Sequence, residues 1–425
     1  MLARGKDPAQ AVADHGAGGH PLTVFVESPY LFNTYRRQPV TFVKGRGVWL
    51  TDDRGKKYLD FFSGLAVCNL GHAHPAVARA VADQVKKLLH TSNIYSTQPQ
   101  QALGKALVER TFPSKVFFSN SGAEANELLI KLARRFGTVN PGPEGPRYEI
   151  IVFDSAFHGR TLGALSATPQ KKYQEGFGPL LPGFVVARYG DLSDVRQKAT
   201  AKTCAVLVEP IQGEGGVRRV PPAFYSDLAA LCREKNWLLL FDEVQTGMGR
   251  TGTLFAFQNP AVVPADARPD ALSMAKGLAN GLPIGGVIAR PEIADLLHPG
   301  DHATTFGGGA VPCRAALAVL KELSPARLAQ ARKLGALFQK EISGWQKDLP
   351  ALREVRGAGL MIGLELDRPV ADLVVACREA GLLINGTADK VLRLLPPLIL
   401  TSADARRGLK ILRTVLAKSL SSQSH

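Results

Sequence analysis

The sequence predicts an α/β protein in which a mostly parallel sheet is flanked by helices and accompanied by a smaller α+β domain. With 425 residues, 45% of them hydrophobic and 21% charged, the chain is long enough for a large core and two domains. Between about residues 103 and 286, helical patterns alternate with short apolar runs, which is typical of a mostly parallel sheet. The run LLLF at residues 238–241 shows no polar alternation, so it predicts a strand buried on both faces.

The regions on either side of this pattern differ from it. Residues 1–21 are rich in Ala, Gly and His and are expected to form a disordered leader, without the apolar core of a secretory signal. Short β-type runs broken by glycine-containing turns over residues 40–62 predict an antiparallel meander. We expect this meander to lie in an N-terminal segment, 22–72, that docks with the small domain. The large domain is expected to span residues 73–309 and the small α+β domain residues 310–425.

Four predicted strands deliver polar or aromatic side chains at their carboxyl ends. These side chains are Ser119 after the first strand, then Asp154 with Phe157, His158 and Arg160, then Glu209, and then Asp242. Open α/β sheets bind their ligands at the carboxyl ends of the strands, so we expect a cleft to be built there.

Asp242 and Lys276 are the two side chains that give this cleft a chemistry. Asp242 alone would be read as the cap of a turn. Lys276, however, follows it in an apolar, glycine-rich segment with no acidic residue between Leu272 and Ala289. Such surroundings depress the pKa of a lysine, which suits an amine that forms a Schiff base. A carboxylate able to pair with a pyridinium nitrogen, together with such a lysine, is what a protein contributes to pyridoxal phosphate chemistry.

Two further features fit the same cofactor, although each has a structural alternative. The turn SNSGAE at residues 119–124 opens a predicted helix, and the free N–H groups of a helix N-terminus form an anion site. Ser121 could equally be a simple N-cap. Phe157 could stack on a flat ring or fill the core.

Other functional classes find less support. The formal charge of +15 is spread along the chain and accompanies no zinc, helix-turn-helix or RNP pattern, so binding of nucleic acid is weakly supported. A dinucleotide-dependent oxidoreductase would need GxGxxG after a strand, and neither of the glycine-rich pieces, at residues 213–216 and 307–309, has that spacing. None of the five cysteines forms a CxxC pair, which favours free thiols in a reducing cytoplasm. His72 and His74 lack a third ligand nearby, so no metal site is predicted. No apolar run reaches the length of a transmembrane helix.

A series of motifs gives a specific resemblance. The motifs, in chain order, are SNSGAEANELLIKLAR, AFHGRT, VEPIQGEGGV, LLLFDEVQTGMGRTG, the Lys276 segment SMAKGLANGLPIGG, and HATTFGG. Together they resemble the class III (subgroup II) aminotransferases of fold type I, over about residues 30–416. The resemblance implies a large domain with a seven-stranded type of sheet, pyridoxal 5'-phosphate as cofactor, and a homodimer.

The resemblance also implies roles for individual residues. Lys276 would form the Schiff base with the cofactor and Asp242 would pair with its ring nitrogen. The other cofactor contacts implied are Ser121, Gly122, Ala123, Phe157, His158, Glu243, Val244 and Gln245, with Thr305 reaching the phosphate from the partner subunit. The substrate contacts implied are Arg160, Thr304, Arg393 and Glu209, the last as a gate that pairs with Arg393 in alternate half-reactions.

The implied reaction transfers the amino group of N2-acetyl-L-ornithine to 2-oxoglutarate, giving N-acetyl-L-glutamate 5-semialdehyde and L-glutamate, a step of arginine biosynthesis. Leu65 favours an acylated donor, because ornithine-specific relatives carry a tyrosine there. Succinylornithine, succinyldiaminopimelate, ornithine and 4-aminobutyrate remain as alternative donors. Two departures from the family pattern, a longer segment at 259–268 and Gly309-Ala310 in place of Asn-Pro, are expected to affect the substrate entrance or the dimer contact.

Overall fold

The structure is a computed structural model that describes residues 29–421, so the predicted leader at residues 1–21 lies outside the described residues. The strands are β1 (Phe42–Arg46), β2 (Trp49–Asp52), β3 (Lys57–Asp60), β4 (Lys115–Ser119), β5 (Glu149–Phe153), β6 (Phe184–Ala187), β7 (Thr203–Val208), β8 (Leu238–Asp242), β9 (Ala271–Met274), β10 (Gly285–Ala289), β11 (Leu352–Ala358), β12 (Met361–Leu366), β13 (Leu382–Leu383), β14 (Asn385–Thr387) and β15 (Val391–Leu394). The helices are α1 (Ser63–Ala66), α2 (Pro75–Val85), α3 (Gln98–Val108), α4 (Gly122–Val139), α5 (Leu162–Ser166), α6 (Lys171–Gln174), α7 (Leu192–Lys198), α8 (Ala223–Lys235), α9 (Pro291–Ala294), α10 (Ala310–Glu322), α11 (Pro325–Gly344), α12 (Ala371–Glu379) and α13 (Ser402–Ser421).

The central sheet has seven strands in the order β4-β10-β9-β8-β7-β5-β6. Only β10 runs against the others, because it pairs antiparallel with both β4 and β9 while the remaining pairs are parallel. The predicted mostly parallel sheet is therefore confirmed. The four strands predicted from the sequence are β4, β5, β7 and β8, whereas β6, β9 and β10 were not singled out.

The apolar run of β8 is explained by the two cores that the sheet separates. Leu238 and Leu240 pack in the core that also holds the apolar face of α4. Leu239 and Phe241 pack in the larger core on the opposite face. Since successive strand residues point to opposite faces, a strand covered on both sides must be apolar at every position.

Two smaller sheets complete the molecule. The predicted meander is confirmed as β1-β2-β3, and its last strand pairs in parallel with β13 from the C-terminal part of the chain. The antiparallel sheet β11-β12-β15-β14 carries Arg393 on β15. Among residues 29–421, no helix is both long and apolar enough to cross a membrane.

Candidate active site

A cavity of about 400 Å³ opens where β4, β5, β7 and β8 end. Its walls combine the helix turn that follows β4, the loop after β5, the loop after β7, and the segment around Lys276. Its lining includes eleven residues predicted from the sequence, namely Ser121, Gly122, Ala123, Phe157, His158, Arg160, Glu209, Asp242, Val244, Gln245 and Lys276. The carboxyl ends of the strands therefore meet at one cavity, as open α/β sheets require.

Asp242 is a buried carboxylate surrounded by donors. Its Oδ2 accepts hydrogen bonds from His158 Nδ1 (2.8 Å) and Asn126 Nδ2 (2.7 Å), and its Oδ1 accepts one from the Val244 N–H (3.0 Å). Burial alone would raise the pKa of Asp242, but the bond and charge of His158, the Val244 N–H and the charge of Lys276 hold it below its ordinary value. Asp242 is thus kept ionised at the cavity wall, where it can stabilise a positive charge.

Lys276 lies two residues after β9, at the start of a 3₁₀ turn, Lys276–Ala279. Its φ angle of +38° is in the left-handed region, which a residue other than glycine occupies only when the surroundings hold it there. Removal of water lowers the pKa of Lys276, and the nearby carboxylates of Asp242 and Glu214 only partly oppose this effect. The neutral form of the Lys276 amine is therefore more abundant than that of an exposed lysine, and the neutral form is the one that acts as a nucleophile.

The turn before α4 is an anion site built from backbone groups. Ser121 caps the helix, because its Oγ accepts from the Glu124 N–H (3.2 Å), while Glu124 accepts from the Asn120 N–H (2.5 Å). The N–H groups of Gly122 and Ala123 remain at the positive end of an 18-residue helix. A Cβ atom at position 122 would lie 2.7 Å from Val244 Cγ1, so only glycine lets these two walls approach so closely.

The predicted Glu209–Arg393 pair is wrong. Glu209 accepts hydrogen bonds from the N–H groups of Phe157 (2.9 Å) and Gly213 (3.0 Å), and burial raises its pKa to about 7. The partner of Arg393 is Glu214, at 2.7 Å from Arg393 Nη1. Arg393 fully buries its side chain, whereas Glu214 remains partly exposed and lines the cavity. The carboxylate that pairs with this arginine is therefore five residues further along the motif VEPIQGEGG.

Arg393 has further contacts that bind it to the cavity wall. Its Nη1 also donates to Gln245 Oε1 (3.0 Å), and its Nε donates to Asn385 Oδ1 (3.3 Å). Its Nη2 is buried and has no hydrogen-bond partner among the described residues. Burial raises the pKa of Glu214, but the charge of Arg393 and the hydrogen bond to it bring that pKa below its ordinary value. Arg393 is thus a neutralised cation with one donor still to satisfy.

Other predicted residues lie elsewhere. Glu243 was expected to contact the cofactor, and the structure corrects this expectation because Glu243 does not line the cavity. Its carboxylate instead accepts hydrogen bonds from Thr246 Oγ1 and from the N–H groups of Ala256 and Phe257. Thr304 accepts from Asn120 Nδ2 (3.3 Å) and the Gly307 N–H (3.1 Å) outside the cavity. Thr305 is exposed and also lies outside the cavity of its own chain.

Leu65, the position expected to favour an acylated donor, and the longer segment 259–268 do not line the cavity either. Leu65 is not among the lining residues, and its neighbour Val67 is. Within the segment 259–268, Asp266 accepts from Ser226 Oγ of α8 (2.8 Å) and the Arg268 guanidinium lies 5.5 Å from the ring of Phe112. None of the residues in that segment lines the cavity of its own chain, and the expectation that the segment affects the substrate entrance or the dimer contact stays a prediction.

Several lining residues were missed by sequence reasoning. Asn126, which bonds both Asp242 and the carbonyl of His158, is a polar residue on the buried face of α4, and that position was the available signal. Glu214 stands between two glycines in the motif VEPIQGEGGV, in which the sequence prediction gave the pairing with Arg393 to the first carboxylate, Glu209. No group of three or more His, Cys, Asp or Glu side chains within residues 29–421 could hold a metal ion.

Comparison with known proteins identifies one family of similar sequences. The model of the family "Aminotransferase class-III" covers residues 31–416. The acetylornithine aminotransferase 1 of Bordetella bronchiseptica is 46% identical over 399 residues, which is 93% of this chain and all of that protein. The acetylornithine aminotransferase of Methanocaldococcus jannaschii is 47% identical over 377 residues, 88% of this chain and 92% of that protein.

Solved structures show the same fold. The ornithine aminotransferase of Toxoplasma gondii ME49 aligns with a TM-score of 0.87 at 32% identity, covering 93% of this chain and 94% of that chain. The N-acetylornithine aminotransferase of Stenotrophomonas maltophilia K279a aligns with a TM-score of 0.79 at 32% identity, covering 92% and 98%.

The cavity also fits the cofactor that such enzymes use. The helix turn at Gly122 offers N–H donors for a phosphate, and the same cavity is lined by Val244, by the aromatic ring of Phe157, and by the ionised Asp242 together with Lys276. These groups match the charges and the shape of pyridoxal phosphate. The chain therefore belongs to the class-III aminotransferases, pyridoxal-phosphate-dependent enzymes of fold type I.

Proposed function

We propose that this protein transfers the amino group of N2-acetyl-L-ornithine to 2-oxoglutarate, producing N-acetyl-L-glutamate 5-semialdehyde and L-glutamate in arginine biosynthesis. The observation that carries the reaction type is the enclosure of Lys276 and Asp242 in one cavity. The observation that favours this donor is identity of 43–47% to proteins named acetylornithine aminotransferase, over about nine-tenths of the chain.

The proposed cofactor contacts use the groups described above. Lys276 would bind the cofactor covalently, and Asp242 would hold a proton on the ring nitrogen. The Gly122 and Ala123 N–H groups would bind the phosphate, and Phe157 and Val244 would lie on the two faces of the ring. When bound, pyridoxal phosphate supplies an aldehyde that accepts amino groups and a ring that withdraws electrons from the neighbouring carbon.

The chain itself would move the proton. Lys276, at the wall of the cavity, would act as the base that removes a proton from the donor carbon bearing the nitrogen. Its lowered pKa makes the neutral, basic form available. Because Asp242 is buried, it would attract a protonated ring more strongly than an exposed carboxylate would.

Two arginines would separate the two substrates. Arg160, at the cavity wall, has no ion pair among the described residues, so it is available for the carboxylate of the acylated donor. Arg393, which is paired with Glu214 in the structure, would stay paired with it while the donor reacts. A dicarboxylate keto acid would displace Glu214 and bind Arg393 through its planar fork, with Gln245 steadying the guanidinium.

We further propose a cytoplasmic homodimer in which Thr304 and Thr305 of each subunit contribute contacts to the cavity of the partner subunit. Both lie outside the cavity of their own chain. Large apolar side chains near them are exposed, at 84% for Ile94, 71% for Tyr95 and 67% for Phe306, and an exposed apolar patch of this kind marks an association surface. We also propose that the large domain begins at residue 73 and that the small domain begins at residue 310, as expected from the sequence.

A panel of amine donors tests the function. Cofactor-loaded protein should convert N2-acetyl-L-ornithine with 2-oxoglutarate faster, by kcat/KM, than ornithine, 4-aminobutyrate, succinylornithine or succinyldiaminopimelate. A higher kcat/KM for any of these four would replace the proposed donor. Absence of amino transfer from every donor would contradict the reaction itself.

A further inference from the structure

Arg160 is held by aromatic rings and by no carboxylate. Its guanidinium carbon lies 3.9 Å from the centroid of the Tyr173 ring and 5.5 Å from that of Phe157. The side chain is exposed, and it forms no ion pair with any residue of the described range 29–421. This contrasts with Arg393, the second arginine of the site, which Glu214 neutralises.

Tyr173 is fixed in place by its own surroundings. It lies in the short helix α6, next to Gln174, whose Nε2 donates to the carbonyl groups of Leu165 (3.1 Å) and Thr168 (2.9 Å). Its ring meets the Phe157 ring edge to face, with centroids 5.7 Å apart and planes at 83°. The Tyr173 ring therefore contacts two residues that line the cavity, Phe157 and Arg160.

The stack has a consequence for ligand binding. A guanidinium that lies on an aromatic face is held through its flat side, while its N–H groups point outward in the plane of the group. A carboxylate binds in that same plane through two parallel hydrogen bonds. The ring thus orders the long side chain before the ligand arrives, and less rotamer freedom is lost on binding.

We propose that Tyr173 is a positioning residue that holds Arg160 ready for the carboxylate of the amine donor, and so helps to set the preference for donors that carry this carboxylate. The inference rests on the proposed function of Arg160 as the donor-carboxylate ligand. Lys172 adds a second cation 4.7 Å from the centroid of the same ring, so charge and stacking must be tested separately.

The test is calorimetric binding of N2-acetyl-L-norvaline to the cofactor-loaded protein. This compound has the carboxylate and acyl group of the proposed donor but no terminal amine, so it binds without reacting. Tyr173→Leu should weaken binding roughly ten-fold, whereas Tyr173→Phe, which keeps the aromatic face, should stay within two-fold. Lys172→Gln, which removes charge but keeps the stack, should weaken binding less than three-fold at 0.15 M salt.

Two comparisons separate this inference from the function on which it rests. If Arg160→Gln binds N2-acetyl-L-norvaline as tightly as the wild type does, Arg160 is not the carboxylate ligand, and its role in the proposed function fails. If Arg160→Gln weakens binding and Tyr173→Leu does not, only the positioning role is overturned.

N-acetylputrescine, which lacks the carboxylate, reports on general damage. Its KM as donor should be unchanged in Tyr173→Leu. A rise in this KM by the same factor as the rise in the dissociation constant of N2-acetyl-L-norvaline would overturn the inference. Tyr173→Gln repeats the test if the leucine variant binds the cofactor poorly, as judged by its visible absorption. An unweakened N2-acetyl-L-norvaline affinity in the glutamine variant would also overturn the positioning role.

Discussion

Removal of the Glu214 carboxylate is the perturbation that separates a gate from a permanent ion pair. Losing one partner of a buried pair costs about 3–5 kcal/mol of folding stability. Here the loss should be smaller, because Glu214 is 23% exposed and Arg393 keeps Gln245 and Asn385 as acceptors. We therefore expect Glu214→Ala to lower the free energy of unfolding of the ligand-free protein by about 2 kcal/mol.

The same energy should reappear as tighter binding of the keto acid. In the native protein, 2-oxoglutarate must displace Glu214 before it reaches Arg393, whereas in Glu214→Ala the guanidinium has no charged partner to lose. About 2 kcal/mol corresponds to an affinity gain of roughly 30-fold. Glu214→Gln, which keeps an oxygen acceptor without the charge, should show a smaller gain.

Each half-reaction can be measured in a single turnover from the visible absorption of the bound cofactor. Glu214→Ala should bind 2-oxoglutarate more tightly and react faster with glutamate, and should discriminate less between acylated and free amino-acid donors. An unchanged affinity for 2-oxoglutarate, together with a lower melting temperature, would refute the gate and leave a pair that only joins the two parts of the chain.

Three further predictions concern the cofactor site and the buried carboxylates. Gly122→Ala should weaken cofactor binding in titrations followed by absorption, because its Cβ would lie 2.7 Å from Val244 Cγ1, and a second change of Val244 to Ala should restore part of the affinity; no recovery would count against the clash. Burial raises the pKa of Glu243 from its ordinary value of 4.5 to about 7, so between these pH values the folded protein keeps a proton that the unfolded chain releases. On the order of 3 kcal/mol of the stability present below pH 4.5 is therefore lost as the pH rises to 7. A melting temperature that falls with pH as steeply in Glu243→Gln as in the wild type would contradict this. If Thr305 donates the hydrogen bond to the partner subunit's cofactor that we propose, Thr305→Val should raise the dissociation constant of the cofactor several-fold; full affinity in a protein shown to be monomeric by sedimentation would exclude this contact.

The strand ends were predictable because their signals are local. A run such as LLLF at residues 238–241 has one physical solution, a strand covered on both faces, and the residue that follows it must stand at the edge of the sheet. The same reasoning placed Ser119 and Glu209. Lys276 was predictable from its apolar, glycine-rich surroundings, and the structure brings it to the same cavity as Asp242.

The partner of Arg393 was not predictable, because it depends on which way a loop turns. Glu209 and Glu214 are both carboxylates of one motif, and the sequence does not show that backbone N–H groups occupy the first. The loop folds so that Gly213 donates to Glu209, which leaves Glu214 facing the arginine. Glu243 failed for a related reason, since the N–H groups that bind it come from a turn 13 and 14 residues away.

Contacts between distant segments account for the remaining omissions. Tyr173 reaches Arg160 only because α6 folds back onto the loop after β5. Asn126 reaches Asp242 across 116 positions of the chain. Neither pair leaves a pattern that periodicity or spacing can detect.

The most direct test of the account asks which lysine holds the cofactor. Protein loaded with pyridoxal phosphate is reduced with borohydride, digested, and mapped by mass spectrometry. We predict that the pyridoxyl group is found on Lys276, and that Lys276→Ala binds the cofactor without being labelled and does not turn over. A pyridoxyl group on any other lysine of the native protein would contradict the central assignment.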